Sequence, residues 1–159
     1  MSLPPAVPGD ARRVAGLRAN SFAAVVMLLV EFGLGIDVNL YATLSVSDHG
    51  KGILAALVAA VSKGPLALTL HALLGTLLLA TGSTAVVRAS LTRRPALIAA
   101  AVVGLLGLLT AWLSGAAFVG EIANGRSLAM ALATAVALLS YTTIVLLSSP
   151  PASPLLRGG

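Results

Sequence analysis

Cysteine is missing from all 159 residues, and its absence removes several chemistries at once. There can be no disulfide, no thiolate metal site, no cysteine nucleophile and no covalently attached c-type haem. Charge is nearly as scarce. Only 9% of residues are charged, where a soluble domain usually carries about 25%. With 58% hydrophobic residues and a mean hydropathy of +1.01, the chain cannot cover a soluble core with polar surface. Aromatics make up only 4%, which leaves no stacking platform for nucleic acid. The net charge of +5 therefore does not signal a nucleic-acid partner, because the basic residues stand in short clusters beside apolar spans. Motifs are absent too. No phosphate-binding Walker loop, dinucleotide glycine fingerprint, HExxH or nucleophile elbow occurs, and nothing in the sequence argues for an enzyme.

What is present is a series of long apolar stretches. Spans are expected at about 21–44, 65–89, 95–119 and 127–147, each near the ~20 residues that cross a bilayer. The fold expected is an all-α membrane protein, a four-transmembrane-helix up-down bundle occupying residues 21–148. Residues 1–20 read as a basic cytoplasmic tail, and 149–159 as a Pro-rich cytoplasmic tail. The first span is longer than a signal-peptide core and lacks a small-x-small cleavage site, so it reads as a retained helix. Between the first two spans, Ile53–Val61 is too short to cross and is bracketed by Lys51 and Lys63, as a short interfacial helix would be.

Loop charges give the orientation. Arg12, Arg13, Arg18, Arg88, Arg93, Arg94 and Arg157 fall on one side, against Lys51, Lys63 and Arg126 on the other. The excess places both termini in the cytoplasm. Eight arginines against two lysines, with abundant Ala and Leu, suggest a GC-rich bacterial genome and hence a bacterial cytoplasmic membrane. Tyr41 and Tyr141 would then sit near opposite interfaces as aromatic anchors. Gly107, Ala111 and Gly115 form a small-residue stripe for close helix approach, within the chain or between copies. Ala72, Thr76, Ala80 and Thr84 form another.

The functional signal is the placement of the polar residues. Glu31, Asp37 and Asn39 lie in the first span, Asp48 and His49 in the loop after it, His71 in the second span and Glu121 after the third. This topology sends them to the outer half or the centre of the bilayer, and together they make a candidate polar pocket. An acid at the centre of a spanning helix costs roughly 2.5–3.5 kcal/mol, so Glu31 needs a partner or a wet cavity. At about 100° per residue Glu31, Gly35 and Asn39 share an 80° sector, whereas Asp37 lies about 120° away. Both acids could meet only if Gly33 and Gly35 unwound the helix. Asp37 near a helix end reads more readily as a solvated interface residue than as a ligand, and Asp48-His49-Gly50 more readily as turn chemistry than as a metal site. His71 suits a hydrogen bond to Glu31 or a threonine, and equally a haem, metal or proton role.

The pattern EFGLGIDVNLY…DHGKG…GPLALTLHALLG…SGAAFVG…SLAMALATAVALLSY resembles a family of small four-helix membrane proteins of GC-rich bacteria. The resemblance implies the architecture and brings no activity with it. HALLG, at His71–Gly75, resembles the haem-ligand helices of b-type membrane cytochromes, where a glycine one turn away makes room for the porphyrin. That resemblance would make His71 a haem b ligand, with His49 or a second copy supplying the other. A single acid in the first helix is similar to small multidrug exporters, although the aromatic cage of such sites is lacking. Three expectations follow: a non-enzymatic accessory subunit of a larger membrane complex with an outward-facing pocket, a haem-binding electron-transfer anchor using His71, or a proton-coupled transporter working through Glu31. No cofactor follows from the residues themselves.

Overall fold

Four long helices and the turns between them account for nearly all of the described chain. The computed structural model describes residues 8–41, 64–120 and 124–149, with residues 55, 58, 61 and 62 of the first connection. The helices are α1 (Pro8–Tyr41), α2 (Leu66–Thr92), α3 (Pro95–Gly120) and α4 (Asn124–Leu147). Each is long and apolar enough to cross a membrane, and the chain is an all-α four-helix membrane bundle. No strand occurs among the described residues. In the first connection Ala55, Val58, Val61 and Ser62 are helical, and the rest of the expected interfacial helix lies outside the described residues.

The helix ends follow from local chemistry. Pro65 occupies the N-cap of α2, where its missing N–H costs nothing, and its carbonyl accepts from the Thr69 N–H at 3.0 Å. Arg93 stops the helix in a left-handed conformation, φ 55°, with its N–H donating to the Ser90 carbonyl. Pro95 then opens α3 with φ already set for a helix. A turn this short forces α2 and α3 antiparallel. At the far end, an Arg126 guanidinium nitrogen donates to the Ala117 carbonyl and ties α3 to α4.

The helices form a ring in which each packs on two neighbours, α1 on α2, α2 on α3, α3 on α4 and α4 on α1. Facing residues run in opposite directions along each pair. Gly104 meets Tyr141, Gly107 meets Ala137 and Gly115 meets Met130 across α3 and α4. That is the up-down plan. Lipid tails are as apolar as leucine, so close contact between helices rather than water exclusion holds the ring together. A Cβ at Gly107 would stand 2.9 Å from the Ala133 carbonyl oxygen and 3.1 Å from the Ala137 nitrogen. The Gly107 and Gly115 positions of the third-helix stripe are thus covered by α4 of the same chain. Large side chains such as Phe22, Leu29, Phe32, Leu139 and Leu146 remain outside, as a lipid-facing surface requires.

Two expectations change. Residues 8–20 are not a separate tail but the first turns of α1, with Pro8 at the start and Asp10 in the first turn. Leu17 is fully buried and the Arg13 guanidinium donates to the Leu91 carbonyl at 3.3 Å, so tertiary contact keeps this stretch helical. Tyr141 is no interface anchor. It is fully buried, its ring against Gly104 and its hydroxyl 2.7 Å from where a Gly82 Cβ would stand. The absence of side chains on two neighbouring helices makes the slot that this ring fills.

Candidate functional site

Glu31 and His71 meet across the α1–α2 interface. Nδ1 of His71 lies 3.0 Å from Oε1 of Glu31, and the two side chains keep only 19% and 12% of their surface exposed. The antiparallel register brings them together, since Asn20 already pairs with Thr81 through a 3.1 Å hydrogen bond to its carbonyl. Eleven residues further along α1 lies Glu31, and ten residues back along α2 lies His71. Glu31 therefore arrives opposite His71, about 7.5 Å inside the start of α2 at 1.5 Å per residue.

Glycines shape the space around the pair. A Cβ at Gly35 would sit 3.3 Å from the His71 ring carbon Cε1, and one at Gly75 would sit 3.0 Å from Glu31 Oε1. The imidazole therefore lies on bare α1 backbone, and the carboxylate on bare α2 backbone. Trp112 of α3 closes the same spot, with its Cδ1 3.7 Å from the Gly75 Cβ position. Its indole N–H donates to the Thr76 hydroxyl at 3.4 Å, and that hydroxyl donates to the Ala72 carbonyl. Three helices thus converge on one small polar cluster.

The pair is in contact but not saturated. Nδ1 makes no aligned hydrogen bond despite its 3.0 Å approach, and Glu31 Oε2 is buried without any partner among the described residues. With one proton fewer than full protonation the pair carries no net charge, either as carboxylate and imidazolium or as acid and imidazole. Burying two groups whose charges cancel offsets much of the cost of placing a lone acid in a membrane. Oε2 keeps capacity for a proton or for a hydrogen-bond donor.

Of the other sequence candidates, the structure describes the side chain of Asp37 alone. Asp37 is exposed, and α1 runs unbroken through Gly33 and Gly35, so the glycines do not turn Asp37 towards Glu31. The Asn39 side chain, Asp48, His49 and Glu121 lie outside the described residues. No group of three potential metal ligands occurs among the described residues. Trp112 and the packing role of Gly35 escaped sequence reasoning. The one available signal was that Trp112 is the only tryptophan in the chain.

The chain matches no protein-family model, no curated protein and no solved structure.

Proposed function

We propose that this chain is a proton-handling membrane protein, a small proton-coupled carrier in which Glu31 and His71 act as one protonatable unit. The observation that carries the reading is the 3.0 Å contact between the two side chains inside the apolar part of the bundle, with Glu31 Oε2 left without a partner among the described residues. A second proton gives the pair a net positive charge, and loss of the shared proton gives it a net negative one. Either charge is costly in a low-dielectric interior. Proton uptake must then be balanced by movement of α1 against α2, or by exchange for a charged solute. That requirement is the coupling.

The arginine bias supports a bacterial cytoplasmic membrane with both termini inside, which puts the pair in the outer half of the bilayer. A haem at His71 fits less well. The room that Gly75 would give a porphyrin is filled by the Glu31 carboxylate and Trp112. No step is derived through haem.

The test is proton flux in liposomes containing the purified protein and an internal pH dye. Under an imposed pH gradient the wild type discharges faster than empty liposomes, and Glu31→Gln falls to the empty rate with helicity unchanged. Equal flux in both would remove the proposal. It would leave the accessory-subunit reading, which is supported by the exposed small-residue face at Thr76, Ala80 and Thr84.

A further inference from the structure

The end of the bundle opposite Glu31 and His71 is built differently. The first turns of α1, the last turn of α2 and the turn into α3 bring together Arg12, Arg13, Arg18, Arg88, Arg93 and Arg94, all exposed. One acid answers them among the described residues, Asp10, which stands 3.7 Å from Arg94. The general bias towards cytoplasmic arginine accounts for such a number of charges but not for how they are held.

Two of them lie in the groove between α1 and α2. Arg88 lies across Gly16, with its Nη1 only 2.6 Å from the position a Cβ would take there. A bare backbone at Gly16 is what lets the guanidinium lie down against α1. Arg13 donates one N–H to the Leu91 carbonyl at 3.3 Å, which spends a single one of its five donors. Arg12 precedes Gly16 by four residues and so shares its face of α1. Arg18 is about 140° around the helix from Arg13 and points away from this groove.

We propose that this groove binds the headgroup phosphate of an anionic phospholipid, with Arg12, Arg13 and Arg88 as its ligands. Guanidinium forks match phosphate oxygens, and holding two of them against backbone removes part of the entropy cost of closing on the ligand. The site sits where a headgroup lies. α1, with 34 residues, is about 51 Å long and overshoots a hydrocarbon core of about 30 Å, so its arginine-bearing start reaches the phosphate level.

Native mass spectrometry of the detergent-solubilised full chain, offered equal phosphatidylglycerol and phosphatidylcholine, tests this. The wild type is expected to retain one phosphatidylglycerol in preference. Arg88→Gln and Arg12→Gln should each lower retention about fivefold, the equivalent of ~1 kcal/mol per arginine near an anionic surface. Gly16→Ala should lower it too by lifting Arg88 out of place, and so serves if Arg88→Gln misfolds. Arg18→Gln should match the wild type. Equal retention of the two lipids, an equal loss in Arg18→Gln, or displacement of the lipid by inorganic phosphate would overturn the proposal.

Discussion

A carboxylate beside an imidazole is an ordinary contact in water and a consequential one inside a bilayer. Glu31 and His71 stabilise one another because each removes the other's uncompensated charge. Removing one partner should therefore cost more than removing both. A double-mutant cycle on thermal unfolding in detergent, with Glu31→Gln, His71→Gln and the pair together, is expected to return a coupling of about 0.5–3 kcal/mol. Additive effects would mean that the two side chains do not depend on each other. Both residues were legible in the sequence, because ionisable groups in an apolar span stand out against their surroundings. Their pairing was one alternative among several, beside a threonine hydrogen bond and a haem, metal or proton role for His71. The relevant geometry is a register between two helices, and no period within either helix records it. The approach of Trp112 to Gly75 was hidden for the same reason, since an indole closing on a glycine of the neighbouring helix leaves no mark in local sequence.

Among the helices, the closest approaches fall at glycines, and these divide into two kinds. At Gly107 the two nearest atoms that a Cβ would meet are backbone atoms of α4, which cannot turn aside. At Gly33 nothing lies within 4 Å. Gly107→Leu should thus force α3 from α4 and lower the unfolding temperature, with a cost of about 1–3 kcal/mol or more from overpacking. Gly33→Ala should be tolerated or slightly stabilising, by about 0.5–1 kcal/mol, because alanine suits a helix interior better. Equal effects at the two positions would contradict the packing described. Sequence spacing had exposed the third-helix stripe without showing that α4 covers it. The burial of Tyr141 was likewise out of reach, because its slot is made by Gly82 and Gly104 on two other helices. The helical start of α1 shows the limit from the other side. Residues 8–20 have no apolar period, and it is contact with α2 through Arg13 and Arg88 that holds them in the bundle.

For the whole molecule, four spans and an arginine-rich end follow from hydropathy and arginine placement, which is why the architecture was legible before any packing was known. The natural absence of cysteine makes the orientation simple to measure. Single cysteines at Gly9 and Gly125 should be labelled by a membrane-impermeant maleimide from opposite faces, Gly9 only after the cytoplasmic face is opened. Labelling of both from one face would rule out the four-span arrangement. Orientation and the Glu31–His71 contact together define the account: a bundle with its arginine cluster at one end and the buried acid–imidazole site nearer the other.

That site has a built-in reporter. Trp112 is the only tryptophan, and it meets Glu31 at Gly75. The most direct measurement is Trp112 fluorescence of the protein in nanodiscs across a pH titration. The wild type should show a single transition as the Glu31–His71 unit gains or loses its proton, and both Glu31→Gln and His71→Gln should abolish it. A wild-type transition that persists unchanged in both variants, or no transition at all, would contradict the claim that these two residues form one protonatable site.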